Sequence, residues 1–175
     1  KEAAQVVEQM REAGLSQIVM MTGDSDRTAK AIAKRVGVDE YYSEVLPEDK
    51  ANFVEREKQA GRKVIMIGDG INDSPALSAA DVGIAISEGA EIAREVADIT
   101  VGADDLKEIV KLKRLSDALM QRIRRNYRII VGFNTGLIVC GVTGVLPPTT
   151  SALLHNTSTL VIGLQSMKNL LDESE

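Results

Sequence analysis

The sequence is short of the residues that carry several common chemistries. A single cysteine, Cys140, leaves no internal disulfide to form. There is no tryptophan, aromatic residues make up 3%, and no Lys/Arg block is interleaved with them. With a net charge of −5, that composition argues against a nucleic-acid partner. The charged opening residues are not expected to be a signal peptide. The chain opens without methionine on the charged, amphipathic "KEAAQVVEQMREAG", and a piece of a larger protein is expected. The most informative absence is of charge: the 39 residues from Ile129 to Met167 contain no Asp, Glu, Lys or Arg. That is about twice the roughly 20 residues needed to cross a bilayer once.

What is present divides at about residue 103. Before it, helical and apolar strand patterns alternate. Helices are expected over 1–13, 26–36 and 47–61, closed by Gly14, Gly37 and Gly61, with another near 88–96. Strands are expected at 17–21, 41–45, 63–68, 82–86 and 99–101. This alternation predicts an α/β domain, a Rossmann-like parallel sheet with helices on both faces. The polar loops "TGDS" and "GDGIND" each follow an apolar strand, so they should meet at one sheet edge, where ligands bind in such folds.

From Asp104 a connecting helix is expected through 128, entering a two-helix transmembrane hairpin over 129–167 and leaving a cytoplasmic tail at 168–175. Ile129–Leu146 forms one span, Pro147 and Pro148 break it, and Ala152–Met167 forms the second. The basic "RIRRNYR" at 122–128 and Lys168 flank the hairpin, which places both ends, and the preceding domain, on the cytoplasmic side of the membrane.

Chemistry concentrates in the loops. In "IGDGINDSPAL" (67–77), Asp69 and Asp73 bring together carboxylates that repel unless a cation or proton lies between them. Hard oxygen ligands at a strand end suit Mg²⁺; the same residues also suit a helix-capping turn. "MTGDS" (21–25) places Thr22 and backbone N–H groups at a helix start, either an anion site or an ordinary N-cap. Lys50, in "LPEDK", offers a positive charge to a phosphoryl group.

The succession "MTGD", "PEDK", "GDGINDSPAL" resembles the phosphorylation domain of P-type ATPases, a branch of the haloacid-dehalogenase-like superfamily. "SALLHNTSTLVIGLQSMKNLL" looks like the last membrane helix of the heavy-metal-transporting branch, so the likeness spans nearly the whole chain. The resemblance implies an ATP-driven metal transporter working through an aspartyl-phosphate, with ATP as substrate of the complete protein and Mg²⁺ as cofactor. Thr22 would hydrogen-bond the phosphoryl group, and Gly23 and Asp24 would shape its loop. Lys50 would neutralise charge; Asp69 would ligate Mg²⁺; Asn72 and Asp73 would orient metal and phosphate. The family's nucleophilic aspartate lies in a D-K-T-G-T motif, and none occurs in 1–175. Alone, the chain should not form the phosphoenzyme, and its partner would be the remainder of the same ATPase. Two alternatives are an inactive membrane remnant and a stand-alone phosphohydrolase of the superfamily. The latter needs its own nucleophilic Asp after a first strand, and the first 20 residues contain none.

Polar residues in an uncharged membrane segment are candidates for the metal path: His155, Ser158 and Thr159, with Asn134 in the other span. "HNTST" is similar to the His-containing pattern of the cobalt-type branch, with Asn156 where that pattern has a glutamate. Imidazole and oxygen favour a borderline divalent ion (Co, Zn, Fe, Ni or Mn) over Cu(I). The hydroxyls serve equally well as hydrogen bonds between helices.

Overall fold

The computed structural model describes residues 2–68, 71–86, 95–102 and 106–170. Asp69 and most of the helix expected near 88–96 lie outside them. The chain divides into two compact units, residues 1–111 and 112–175.

In the first unit, β1 (Val19–Met21), β2 (Glu40–Tyr42), β3 (Ile65–Gly68), β4 (Val82–Ile86) and β5 (Ile99–Val101) alternate with α1 (Glu2–Glu12), α2 (Asp26–Val36), α3 (Pro47–Gln59) and α4 (Ser74–Ala79). The helix ends follow local chemistry. Gly37 adopts a left-handed conformation, φ 83°, and returns its N–H to Ala33 to close α2. Pro47 opens α3, where the Leu46 N–H donates to the Asp49 carboxylate at 3.2 Å.

Every strand pair is parallel, but the strands form two sheets, β1–β2 and β3–β4–β5. The single sheet expected from the sequence is therefore in two pieces. Hydrogen-bonded ladders join β1 only to β2, and β3 only to β4, among the described residues. Carboxylates set the register, one at the foot of each pair. Asp39 accepts the Ile18 N–H at 2.7 Å, Asp81 the Val64 N–H at 3.0 Å and Asp98 the Gly83 N–H at 2.8 Å. Arg11, hydrogen-bonded to Asp39, holds that carboxyl below the usual range, and the Ile18 N–H adds to the effect. Lys63 and the Val64 N–H lower Asp81 in the same way.

Apolar faces of the helices cover the sheets, with Val6, Val7, Ala29, Ala33, Val54 and Leu77 buried alongside Ile84 and Ala85 of β4. The fit of α4 on β4 is close. A Cβ at Gly83 would lie 2.7 Å from the Leu77 carbonyl oxygen, so only glycine admits that approach.

α5 (Lys107–Val142) runs from the first unit into the second, where α6 (Pro148–Ser166) follows. Within the second unit these helices form an antiparallel hairpin. Asn126 donates to the Ser166 hydroxyl at 2.7 Å, and Arg122 donates to the carbonyls of Ser166 at 3.0 Å and Asn169 at 2.8 Å. The chain reverses through Gly144, φ 75°. α5 stops at Val142, so its helical uncharged part is 129–142 rather than the expected 129–146; α6 begins at Pro148, ahead of the expected Ala152. No helix among the described residues is long and apolar enough to cross a membrane. Two causes are visible in the sequence. The uncharged part of α5 is short, and α6 carries Thr149, Thr150, Ser151 and then "HNTST" through its first half. Even so, α6 buries none of its residues, and Ile129, Phe133, Ile138, Leu153, Leu160 and Leu164 are all exposed.

Candidate functional site

The site is built where β1 and β3 end. Beyond β1 the chain turns through Thr22 and Asp24 into α2. The Thr22 hydroxyl donates to the Asp24 carboxylate at 3.0 Å and accepts the Asp24 N–H at 3.2 Å. Residues 42–45 lash this loop down. Thr22 N–H donates to the Tyr42 carbonyl, Val45 N–H to that of Thr22 and Glu44 N–H to that of Asp24, at 2.9–3.1 Å. Glu44 takes a left-handed φ of 54° to do so. Gly23 is not crowded: a Cβ there would come no nearer than 3.9 Å, to the Val45 carbonyl oxygen.

Beyond β3 the chain passes through a 3-10 turn, Ile71–Asp73, into α4. Asp73 is the buried polar side chain among the described residues, at 7% exposure. Burying a carboxylate is costly unless it is paired. Its partner comes from α3: Lys50 Nζ donates to Asp73 Oδ1 at 2.7 Å, with both side chains largely enclosed. The carboxylate also rests on bare backbone, since a Cβ at Gly68 would lie 2.7 Å from Asp73 Oδ2. Gly68 thus admits the carboxylate to its place.

These groups line one cavity of about 440 Å³, reached by Thr22, Gly23, Lys50, Gly68 and Asp73. The two polar loops expected to converge do so, although each follows a different sheet. Asp24 is exposed and turned back on Thr22, and Asn72 is exposed. The polar oxygens on the cavity, the Asp73 carboxylate and Thr22 hydroxyl, are hard donors of the kind Mg²⁺ takes. Among the described residues no three His, Cys, Asp or Glu side chains gather as a metal site; Asp69 lies outside them.

In the second unit, His155 Nδ1 and Asn134 Oδ1 are 2.8 Å apart, joining α6 to α5. Ser158 and Thr159 instead donate their hydroxyls to the His155 carbonyl, at 2.8 and 3.1 Å. Those donors are therefore spent within their own helix.

From the sequence 41–45 is expected as a strand, with no sign of its bonds to the Thr22 loop or of the register role of the three aspartates. The aspartates carry a readable signal, since Asp39, Asp81 and Asp98 each stand immediately before a strand.

Residues 1–81 match the haloacid dehalogenase-like hydrolase family. The chain is 40% identical over 168 residues to a manganese-exporting P-type ATPase of Mycobacterium leprae, covering 95% of this chain and 23% of the relative. It is 45% identical over 150 residues to a probable copper-importing P-type ATPase A of Enterococcus hirae, covering 85% of this chain and 20% of that protein. Its fold matches the crystal structure of a zinc-transporting PIB-type ATPase in the E2.Pi state with a TM-score of 0.88 and 32% identity, over 98% of this chain and 28% of that one. The chain spans about a fifth to a quarter of the length of these curated relatives. Residues 1–81 are thus similar to haloacid dehalogenase-like hydrolases, and over 95% of its length the chain is similar to part of heavy-metal P-type ATPases.

Proposed function

We propose that the chain is the C-terminal portion of an ATP-driven heavy-metal cation transporter working through an aspartyl-phosphate, to which it supplies the phosphate-stabilising and Mg²⁺-binding loops. The observation that carries this reading is the convergence of Thr22, Lys50 and Asp73 on one cavity at two strand ends. Phosphoryl transfer depends chiefly on positioning and charge neutralisation. The Thr22 hydroxyl, on the loop that Gly23 and Asp24 set, would turn its one O–H from the Asp24 carboxylate to a phosphoryl oxygen. Lys50, held in place by Asp73, supplies positive charge beside it. Asp69 and Asp73, with Asn72 nearby, would hold Mg²⁺, which when bound neutralises charge on the phosphoryl oxygens.

The nucleophilic aspartate comes from outside residues 1–175, on the remainder of the same ATPase, which also binds the ATP. The divided sheet supports this assignment. Among the described residues β1 and β3 each have one neighbour, and their ends line a common cavity. A parallel strand entering between them would join the two sheets and deliver a carboxylate to Thr22, Lys50 and Asp73.

Residues 129–167 are a membrane hairpin and 1–103 the cytoplasmic phosphorylation domain, joined by 104–128. The exposed apolar side chains of α5 and α6 support a lipid setting, with further helices of the complete protein covering the polar face around "HNTST". The Asn134–His155 pair is the candidate for the metal path, and imidazole with amide oxygen favours a borderline divalent ion over Cu(I). Relatives named for manganese and copper leave that choice to experiment.

The complete protein should form a metal-stimulated phosphoenzyme from ATP that is lost in Asp69→Asn; formation indifferent to metal or to Asp69 sinks the proposal. In the same assay, run over a panel of metals, His155→Ala should lose the response to the transported ion. An equal response removes His155 from the path.

A further inference from the structure

The second unit holds a cavity of about 540 Å³ that the transport reading does not use. Arg122, Arg124, Arg125 and Arg128 of α5 line it, with Leu170 beyond α6. Positions 122, 125 and 128 recur at three-residue spacing, which stacks them along one face of the helix. The arginines differ in state. Arg122 is occupied: it donates to the carbonyls of Ser166, Lys168 and Asn169 and so caps the C-terminus of α6. Arg124, Arg125 and Arg128 are exposed and have no ion pair among the described residues. No carboxylate among the described residues lines the cavity. Guanidinium groups lining one cavity repel one another, and an anion with several oxygens relieves that repulsion through forked hydrogen bonds.

Position selects the anion. Arg128 is the last charged residue before the uncharged run, which opens at Ile129 and closes at Met167, directly before Lys168. The cavity therefore sits at the one end of the hairpin where both helices pass from charged to apolar sequence. We propose that it binds the headgroup of an anionic phospholipid, phosphodiester oxygens on Arg124, Arg125 and Arg128, acyl chains along the exposed Ile129, Ile130 and Val131. The inference rests on the membrane setting of the hairpin. Arg122 contributes as a wall, fixing the end of α6 against α5.

The test is native mass spectrometry of the 175-residue chain released from detergent micelles containing cardiolipin, phosphatidylglycerol or phosphatidylcholine, with inorganic pyrophosphate as a soluble anion. Cardiolipin and phosphatidylglycerol should be retained and phosphatidylcholine not. R124Q/R125Q/R128Q should weaken that retention by about tenfold or more. K30Q/K34Q/R35Q, which removes as much charge from α2, should leave it unchanged, and circular dichroism should show equal helix content in all three proteins. Equal retention of phosphatidylcholine, equal affinity in the two triple variants, or pyrophosphate binding as tightly as the lipids overturns the proposal. Labelling of Cys140 by a membrane-impermeant maleimide in vesicles separates the two layers of inference. A protected Cys140 without lipid preference rejects the headgroup site alone, whereas a freely labelled Cys140 rejects the membrane setting.

Discussion

Lys50 and Asp73 show how a site residue is held before it acts. Asp73 is 7% exposed, and its carboxylate is satisfied by the Lys50 ammonium at 2.7 Å. Lys50→Met leaves a buried carboxylate without its partner and should lower unfolding stability by about 1–3 kcal/mol, read from denaturant midpoints. Gly68→Ala should cost a similar amount, about 1–3 kcal/mol, for a steric reason. The added methyl would press on Asp73 Cβ at 2.6 Å and displace the carboxylate from Lys50. Stability unchanged in both variants would mean that neither contact fixes Asp73. Much of this was legible beforehand. Asp73, Lys50 and Thr22 are marked by their motifs, while Gly68 reads in the sequence as a turn residue or as one that lets the backbone approach a ligand. Its real work, admitting Asp73, depends on a contact across the 3-10 turn that no residue spacing reveals.

At the level of elements, the strands are located by small polar devices as much as by their apolar runs. Asp39 and Asp81 each accept a backbone N–H at a strand foot while paired to Arg11 or Lys63. Both carboxyls are lowered in the folded chain, by the hydrogen bonds from Arg11 and Lys63 first and the backbone N–H next. A depressed folded-state value means stability fully present above the unfolded value, about 3.9, and lost as pH falls through the folded one. The wild-type chain should therefore lose stability below about pH 4. Asp39→Asn and Asp81→Asn should be less stable than wild type at pH 7, with the gap closing in acid. A gap constant from pH 7 to pH 3 would assign the effect to lost geometry instead of charge.

The elements themselves were read from the sequence within a few residues wherever a glycine or proline marks an end. α2 was placed at its observed bounds, 26–36, because Gly37 stops it. The strand expected at 41–45 is instead Glu40–Tyr42, because 44 and 45 leave the ladder to bond the Thr22 loop. The first apolar helix ends at Val142, ahead of the break that Pro147 suggests in the sequence. Gly144 reverses the chain earlier, and a proline needs only a non-helical residue before it.

For the whole molecule, the divided sheet is what sequence periodicity did not show. Alternation of strands and helices predicts a parallel sheet but not which strands are neighbours, since neighbours are chosen by contacts distant in sequence. Here β1 and β3 stand in separate ladders although their loops share one cavity. That arrangement accords with a chain spanning about a quarter of its relatives' length, matching a zinc-transporting ATPase over 98% of its own. The proposal that residues 1–175 stabilise a phosphate carried elsewhere is tested most directly by locating that phosphate. The complete protein is incubated with radiolabelled ATP and transported metal, quenched in acid and cleaved, and the labelled peptide is identified. The label should lie on an aspartate outside residues 1–175, with Lys50→Met lowering its yield. A label on any aspartate within 1–175 would contradict the proposal and mark the chain as a phosphohydrolase with its own nucleophile.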